Sequence, residues 1–172
     1  MEQIVRNSLP AQLCNRANAF AVETTRRLRP SLVILAQKTD HAAVDWKTMT
    51  AQVLGLGVRS VLVVGPLPLW RPTLPKIFAS TYLKEPRAYV AMGLDQGVFS
   101  VDRQLATSLA GLPGVTYLSA LDQLCREDGC LAQVPGEGAL DLMVLDFGHL
   151  TPKGSSYLGR KIWKPVFDNL LR

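Results

Sequence analysis

The sequence has few cysteines and histidines and no long apolar segment, so it carries no direct sign of a membrane or secreted protein. Its 172 residues include three cysteines, two histidines and no uninterrupted apolar run near the roughly 20 residues that a bilayer-spanning helix needs. The N-terminal segment MEQIVRNSLPAQLC also lacks the apolar core of a signal peptide. As written, the chain is therefore expected neither to insert into a membrane nor to direct its own export.

The basic excess is too dispersed to indicate a nucleic-acid interface. Nineteen Lys and Arg face fourteen Asp and Glu, for a net charge of +5, and the only tight basic group is Arg26, Arg27 and Arg29. A surface that follows a phosphate backbone needs a longer basic stripe. With 48% hydrophobic residues and no repeat or low-complexity tract, the composition predicts one globular domain over residues 1–172 and no nucleic-acid partner.

Two of the three cysteines, Cys125 and Cys130, bracket the polar segment Arg-Glu-Asp-Gly. Its Asp-Gly end is typical of a turn, which could bring the two sulfurs together. A disulfide there would indicate an oxidising compartment, whereas two reduced thiols fit the spacing equally well. No second Cys or His pair lies nearby, so we expect no zinc site, and Cys14 has no evident partner.

Helix and strand patterns alternate along the first half of the chain. A helical pattern over residues 15–29 precedes an apolar strand at 31–37, then a helix with a cap at Thr39 or Asp40, then a second apolar strand at 60–65. Both strands are apolar at successive positions rather than at alternate ones. That pattern is typical of a parallel sheet covered on both faces, so the chain is predicted to be a doubly wound α/β domain.

The segment PLPLWRPTLP, residues 66–75, has four prolines in ten positions. It is predicted to be an irregular loop at the carboxyl end of the second strand, the edge at which open α/β sheets bind ligands. Trp70 could stack on a sugar face there, although packing as a lid on the core is the favoured interpretation. Arg71 beside it could contact a ligand or simply be solvated.

The second half of the chain completes the predicted fold. A helix near residues 100–110 and a strand at 114–119 precede the cysteine turn. A closing helix is predicted from Pro152 to about Leu171. Its start is well marked, because Thr151 suits an N-cap and proline suits the first helical position.

The segment LDFGHLTPKG, residues 145–154, places Asp146 three positions before His149 and just ahead of the closing helix. In such a loop the carboxylate can accept a hydrogen bond from one imidazole nitrogen and leave the other free to take a proton from a hydroxyl. The spacing alone is a weak signal, because the chain has nine aspartates. The alternative is that Asp146 caps the turn and His149 is a solvent-facing loop residue.

The segment VLDFGHLTPKGSSYL resembles the last sequence block of SGNH hydrolases, in which Asp-x-x-His supplies the orienting acid and the general base for a serine nucleophile. The segments RPSLVILAQ, GVRSVLVVGPLPLWRPTLP and LCREDGCLAQVPG are similar, in order and spacing, to the SGNH domain fused behind the membrane acyltransferase domain of Oaf-type O-acetyltransferases. The resemblance covers nearly the whole chain from about Cys14 onward. It assigns Asp146 and His149 the acid and base roles.

The same resemblance implies the fold, the location and the reaction. The expected fold is a three-layer αβα, flavodoxin-like parallel sheet, and the expected location is periplasmic within a longer membrane protein. The resemblance also implies a bond between Cys125 and Cys130. The expected activity is transfer or hydrolysis of an acyl group on a cell-surface carbohydrate, with a membrane acyltransferase domain as the associated partner. We expect no cofactor and no metal.

The sequence departs from this family in its first block. Gly-Asp-Ser, the turn that carries the nucleophile, occurs nowhere in the chain. The expectation is that Met1 starts inside a longer protein whose first one or two strands and serine are missing here, which would leave the strand at 31–37 with an uncovered edge. The segment KTDHAA superficially resembles the missing block, but Thr39 and Asp40 stand where Asp and Ser are needed. We interpret it as a helix cap with a surface His41.

The oxyanion-hole asparagine that many SGNH enzymes place after this strand is also absent. Gln37, Lys38 and Thr39 stand at those positions. Gln37 or Thr39 could donate a hydrogen bond to an oxyanion, although side chains of this kind are usually ordinary loop residues. Besides an incomplete acyltransferase or esterase, two hypotheses stay open: a noncatalytic remnant that binds glycan or a membrane partner, and a flavodoxin-like binding module in which Asp146 and His149 are structural.

Overall fold

The computed structural model describes residues 9–171 of the chain. The α-helices in this part are α1 (Leu9–Leu28), α2 (Trp46–Leu54), α3 (Leu74–Ile77), α4 (Gly97–Leu109), α5 (Ala120–Leu124), α6 (Pro152–Leu158) and α7 (Lys164–Leu170). The strands are β1 (Leu32–Ala36), β2 (Ser60–Val64), β3 (Tyr89–Val90), β4 (Val115–Leu118), β5 (Cys125–Arg126) and β6 (Gly129–Leu131). A 3-10 turn spans His41–Ala43, and π-helical turns span Phe78–Tyr82 and Gly159–Trp163.

The main sheet is parallel, with the strand order β1-β2-β4. Val61 and Val63 of the central strand pack against residues of α2 and α4 on one face. Leu62, between them, packs toward α7 on the other face. Because successive side chains of a strand point to opposite faces, a strand covered on both sides must be apolar at every position. The predicted three-layer α/β fold with a parallel sheet is confirmed.

Strand β1 forms an edge of this sheet. Within residues 9–171 it pairs with β2 alone, and Ile34 at its middle is 47% exposed. An edge strand presents unpaired backbone N–H and C=O groups, which readily accept another strand. The uncovered edge expected for the strand at 31–37 is therefore present in the described structure.

A second, antiparallel sheet has the order β3-β6-β5 and was not predicted from the sequence. Its strands have two or three residues each, too few for a period-2 pattern to be recognised. It closes over a core of buried residues that reach it from α3, α6 and the loops between, among them Trp70, Leu74, Ile77, Met143 and Leu158. This core supports the loops that carry the candidate site.

The predicted start of the second helix is wrong. The helix begins at Trp46, capped by Asp45, whose side chain accepts a hydrogen bond from Thr48 N–H at 3.0 Å. Asp40 has a left-handed backbone conformation and makes no capping bond. Asp45 is the better cap because a short 3-10 turn, rather than the helix, follows Asp40.

The predicted surface position of His41 is also wrong, since the residue is only 4% exposed. Its ring stacks on Trp46 with 6.1 Å between centroids, and Trp46 Nε1 donates to His41 O at 2.8 Å. Burial lowers the pKa of His41, so the imidazole is held neutral at pH 7. His41 therefore belongs to the packing between the 3-10 turn and α4.

Gly65 marks the point at which β2 gives way to the proline-rich loop. A Cβ there would lie 2.7 Å from Asp102 Oδ1 and within contact of Tyr117 Oη. These groups form a buried network in which Tyr117 Oη donates to Asp102 Oδ1 at 2.6 Å and Ser119 Oγ donates to Asp102 Oδ2 at 2.8 Å. Burial, reinforced by the bond to Asp102, raises the pKa of Tyr117. The network fixes where the loop leaves the sheet.

Candidate functional site

The Asp-x-x-His segment forms the tip of a tight hairpin. Val144 and Leu150 face each other in an antiparallel bridge. On either side of that bridge, Leu145 N–H donates to His149 O at 2.8 Å and Thr151 N–H donates to Met143 O at 2.9 Å. Leu145 and His149 are the last residues opposite each other, so three residues, 146–148, make the turn. This tight turn brings the carboxylate of Asp146 back to the imidazole.

Asp146 uses its two oxygens for two tasks. Oδ1 accepts hydrogen bonds from the backbone N–H groups of Gly148 and His149, each at 2.8 Å. Oδ2 lies 2.5 Å from His149 Nδ1. Both interpretations of the aspartate, as a turn cap and as a partner of the histidine, are thus seen in one side chain. The backbone bonds hold the carboxylate at the position from which it reaches the ring.

The electrostatics of the pair follow from these bonds. The N–H of Gly148, the ring of His149 and the N–H of His149 hold the pKa of Asp146 well below its usual range. The carboxylate is therefore ionised at neutral pH and favours a proton on Nδ1 of the neutral imidazole. His149 is 52% exposed, and its Nε2 makes no hydrogen bond within residues 9–171. That nitrogen is free to act on a group arriving from solvent.

The start of α6 anchors the hairpin. Thr151 Oγ1 accepts a hydrogen bond from Gly154 N–H at 3.0 Å and donates to Leu142 O at 2.8 Å. The predicted N-cap at Thr151 and the helix start at Pro152 are confirmed. Gly154 is buried so close to the hairpin that a Cβ on it would lie 2.3 Å from Met143 O. The orientation of the tip therefore depends on this close contact.

The proline-rich loop packs against the hairpin tip. Trp70 N–H donates to Phe147 O at 2.9 Å, and Leu74 N–H donates to Asp146 O at 3.2 Å. This loop follows the carboxyl end of β2, and Lys38, which follows the carboxyl end of β1, also reaches the tip. The Asp146–His149 pair consequently lies at the carboxyl edge of the parallel sheet, where α/β folds bind their ligands.

Trp70 does not offer a surface to a sugar. The side chain is 1% exposed, packs into the core of the second sheet, and its Nε1 donates to Val90 O at 3.4 Å. A stacking platform needs a free ring face, which a fully buried indole lacks. The sugar-stacking hypothesis is wrong for Trp70, and its interpretation as a lid on the core is correct.

Two cations lie beside the tip, on the ring of Phe147. The Nζ of Lys38 is 4.8 Å from the ring centroid, and Arg71 Cζ is 5.8 Å from it. The Phe147 and His149 rings are 6.0 Å apart between centroids. Arg71 also forms a loose ion pair with Asp95, at 3.7 Å. Sequence reasoning singled out Arg71 but missed Lys38 and Phe147.

Gln37 and Thr39 are occupied within their own loop. The Nε2 of Gln37 donates to Thr39 O, and Thr39 Oγ1 donates to Asp40 Oδ2 at 3.1 Å. The loop lies at the correct edge of the sheet, since its Lys38 contacts the ring of Phe147. An oxyanion role for Gln37 or Thr39 stays a prediction.

Cys125 and Cys130 form a disulfide that joins β5 to β6. They stand opposite each other in the antiparallel pair, so the two-residue turn between the strands brings the sulfurs together. The alternative of two reduced thiols is wrong for this structure. Cys14 is exposed and outside any disulfide that the described residues show.

The parallel sheet with helices on both faces and the Asp-His hairpin at its carboxyl edge define a three-layer α/β domain of the flavodoxin-like class. The chain belongs to the SGNH domain family described as fused to AT3 domains, whose family model matches residues 2–164. No curated protein sequence matches the chain significantly. In residues 9–171, each helix is too short or too polar to cross a bilayer.

The chain is also similar to a solved structure, the periplasmic domain of a lipopolysaccharide acetyltransferase from Salmonella ser. Paratyphi A. The two share 25% sequence identity with a TM-score of 0.69. The match covers 88% of this chain and 62% of that domain. The fold is therefore shared over almost all of this chain, while more than a third of the Salmonella domain has no counterpart in the match.

Proposed function

We propose that this chain supplies the acid-base half of an SGNH-type acyl-transfer site that acts on acyl groups of cell-surface carbohydrate. His149 is the general base and Asp146 orients it. The observation that carries the proposal is the 2.5 Å contact between Asp146 Oδ2 and His149 Nδ1, made by a carboxylate whose other oxygen is held by two backbone N–H groups. Membership of the SGNH family supports the assignment.

The chemistry follows from the free Nε2 of His149. This nitrogen takes the proton of a serine hydroxyl as the oxygen attacks the carbonyl carbon of an acyl ester. It then returns the proton to the departing alkoxide, which leaves an acyl-enzyme. A sugar hydroxyl, or water in the esterase case, then attacks the acyl carbon and gives up its proton to the same nitrogen. The imidazolium passes that proton to the departing serine oxygen, which frees the acylated product and restores the serine. Asp146 stabilises the imidazolium that forms in each half-reaction.

The nucleophile is the part of the site that this chain does not show. The sequence has no Gly-Asp-Ser turn, and none of the serine hydroxyls in residues 9–171 is hydrogen-bonded to His149. We therefore place the serine in polypeptide outside residues 1–172. Without it the Asp146–His149 pair has nothing to activate, so the chain alone is inactive.

Location and partners are proposed from three observations. The Salmonella protein is a periplasmic domain, the family is described as fused to AT3 domains, and the described residues contain a disulfide, which persists in oxidising compartments. We place this chain outside the cytoplasm, next to a membrane acyltransferase domain and a carbohydrate acceptor. The second candidate function, a noncatalytic glycan-binding or membrane-partner module, is favoured by the missing Gly-Asp-Ser turn.

An ester hydrolysis assay tests the proposal. Purified residues 1–172 should hydrolyse 4-nitrophenyl acetate no faster than the same chain with His149→Ala, because the base lacks a nucleophile. Adding the polypeptide that carries Gly-Asp-Ser should produce turnover that requires both His149 and the added serine. Turnover by the chain alone that disappears with His149→Ala would show that a nucleophile is already present. A serine-bearing partner that binds but produces no turnover would favour the noncatalytic module.

A further inference from the structure

A side groove runs from the hairpin around the surface next to α6. It consists of three depressions with volumes of about 590, 720 and 460 Å³. The first and second share Pro152 and Lys153 in their walls. The second and third share Tyr157 and the segment 134–137. Because they share lining residues, the three depressions adjoin one another, and together they are called the side groove.

The side groove begins next to the candidate acid-base pair. Leu145 and Thr151 line its first depression. Leu145 is directly opposite His149 in the hairpin, with its N–H bonded to His149 O at 2.8 Å. Residues directly opposite in an antiparallel pair project from the same face. A ligand bound along the groove therefore has one end beside His149.

Cations dominate the far part of the side groove. Arg160 and Lys161 line the second depression, and neither has an acidic partner within residues 9–171. Arg126, in the third, lies 4.3 Å from the centroid of the Tyr89 ring and forms no ion pair in the described part of the chain. The acidic groups of the groove, Glu137 and Asp141, are both bound to Lys153, at 3.0 and 2.8 Å. The unpaired charge is consequently positive.

The shape of the groove decides which anionic ligand it suits. Each depression alone has the volume of a typical small-molecule site, so the three together exceed what one sugar unit fills. Tyr157 is half-buried in the walls of two of the depressions, where its ring can pack against the apolar face of a sugar. The length, this tyrosine and the charge favour a chain of sugars that carries anionic groups.

We propose that the side groove binds an anionic stretch of the polysaccharide acceptor, with Arg160 and Lys161 recognising carboxylate or phosphate groups several sugar units from the acylated hydroxyl. This inference rests on the proposed function for the choice of a carbohydrate as the ligand. Binding at the groove does not require the serine nucleophile. The groove can therefore be tested on residues 1–172 without any catalysis.

The test is a titration of residues 1–172 with two hexasaccharides, hexagalacturonate as the anionic probe and maltohexaose as the neutral one. Calorimetry should show binding of hexagalacturonate that weakens as salt is raised, with little binding of maltohexaose. The double variant Arg160→Gln, Lys161→Gln should weaken that binding about fivefold or more. The matched control Arg26→Gln, Arg27→Gln removes the same charge from the exposed end of α1 and should leave binding unchanged.

The outcomes separate this inference from the proposed function. Hexagalacturonate binding is measured without turnover, so a protein that binds this probe but stays inactive when the serine is supplied would contradict the acid-base proposal and leave the groove inference standing. Equal binding of both hexasaccharides, or binding that both double variants weaken equally, would overturn the inference. So would binding to vesicles of anionic phospholipid without binding to hexagalacturonate, because the cations would then serve a membrane surface.

Discussion

Replacement of His149 by alanine should lower the rate of acyl transfer at least about a thousandfold, once the polypeptide that carries Gly-Asp-Ser has been added to the chain. The loss is large because Nε2 of this residue moves a proton in both half-reactions, and no other imidazole can replace it. The second histidine of the chain, His41, is buried between the 3-10 turn and α4. The measurement is kcat for release of 4-nitrophenol from the acetyl ester.

Asp146→Asn should cause a smaller but still large loss, of about a hundredfold or more, since the amide no longer holds the proton on Nδ1. Asp45→Asn is the matched control. Asp45 is an exposed aspartate whose pKa is also lowered by a backbone N–H, that of Thr48, but it caps α2, where asparagine serves equally well. Equal rates for the Asp146→Asn and Asp45→Asn proteins would remove Asp146 from the mechanism.

The second large effect is on stability. Gly154→Ala should lower the free energy of unfolding by about 2–4 kcal/mol, because the new Cβ would lie 2.3 Å from Met143 O and 3.1 Å from Met143 C. These are backbone atoms of the hairpin, which cannot move aside as the end of a side chain can. Helix α6 must shift away from the hairpin instead. Urea denaturation followed by circular dichroism measures the change.

Gly159→Ala is the matched control for this variant. Gly159 lies five positions after Gly154 along the same helical stretch and has helical backbone angles. A Cβ there would meet no heavy atom within 4 Å. Alanine should be neutral or stabilise the protein by up to about 1 kcal/mol at this position. If Gly154→Ala and Gly159→Ala unfold at the same urea concentration, the close contact between α6 and the hairpin does not support the site as we describe.

The parallel sheet could be predicted because its central strand has a distinctive sequence pattern. The run Val61, Leu62, Val63 is apolar on both faces, and only a strand covered on both sides calls for that composition. The start of α6 was predictable for an equally local reason, since Thr151 and Pro152 occupy positions with strong intrinsic preferences. In both cases the physical cause lies within a few consecutive residues.

The remaining features depend on contacts between residues far apart in the sequence. Nothing local distinguishes a buried His41 from a surface one, because its burial comes from packing with Trp46 and α4. For Trp70 the sequence already favoured packing on the core, but its hydrogen-bond partner Val90 O lies 20 positions away and was identified only in the structure. Asp45, rather than Asp40, caps α2 because a 3-10 turn separates Asp40 from the start of the helix.

The Asp146–His149 pair could be predicted from the sequence only in part. Its contact is local, three positions apart, and the sequence was sufficient to propose it. What the sequence left open was whether Asp146 caps the turn or orients the histidine, and the structure shows that one carboxylate does both. The assembly of the surrounding rim from Lys38, Arg71 and Phe147 required the loops after β1 and β2 to be placed in space.

The most direct test of this account is the position of the proton on neutral His149. A long-range ¹H–¹⁵N correlation spectrum above about pH 8.5, where an ordinary imidazole is uncharged, distinguishes the two ring nitrogens. We predict a proton on Nδ1 and a bare Nε2 in the unmodified chain, and loss of this preference with Asp146→Ala. A proton on Nε2 of His149, or a spectrum that Asp146→Ala leaves unchanged, would contradict the account.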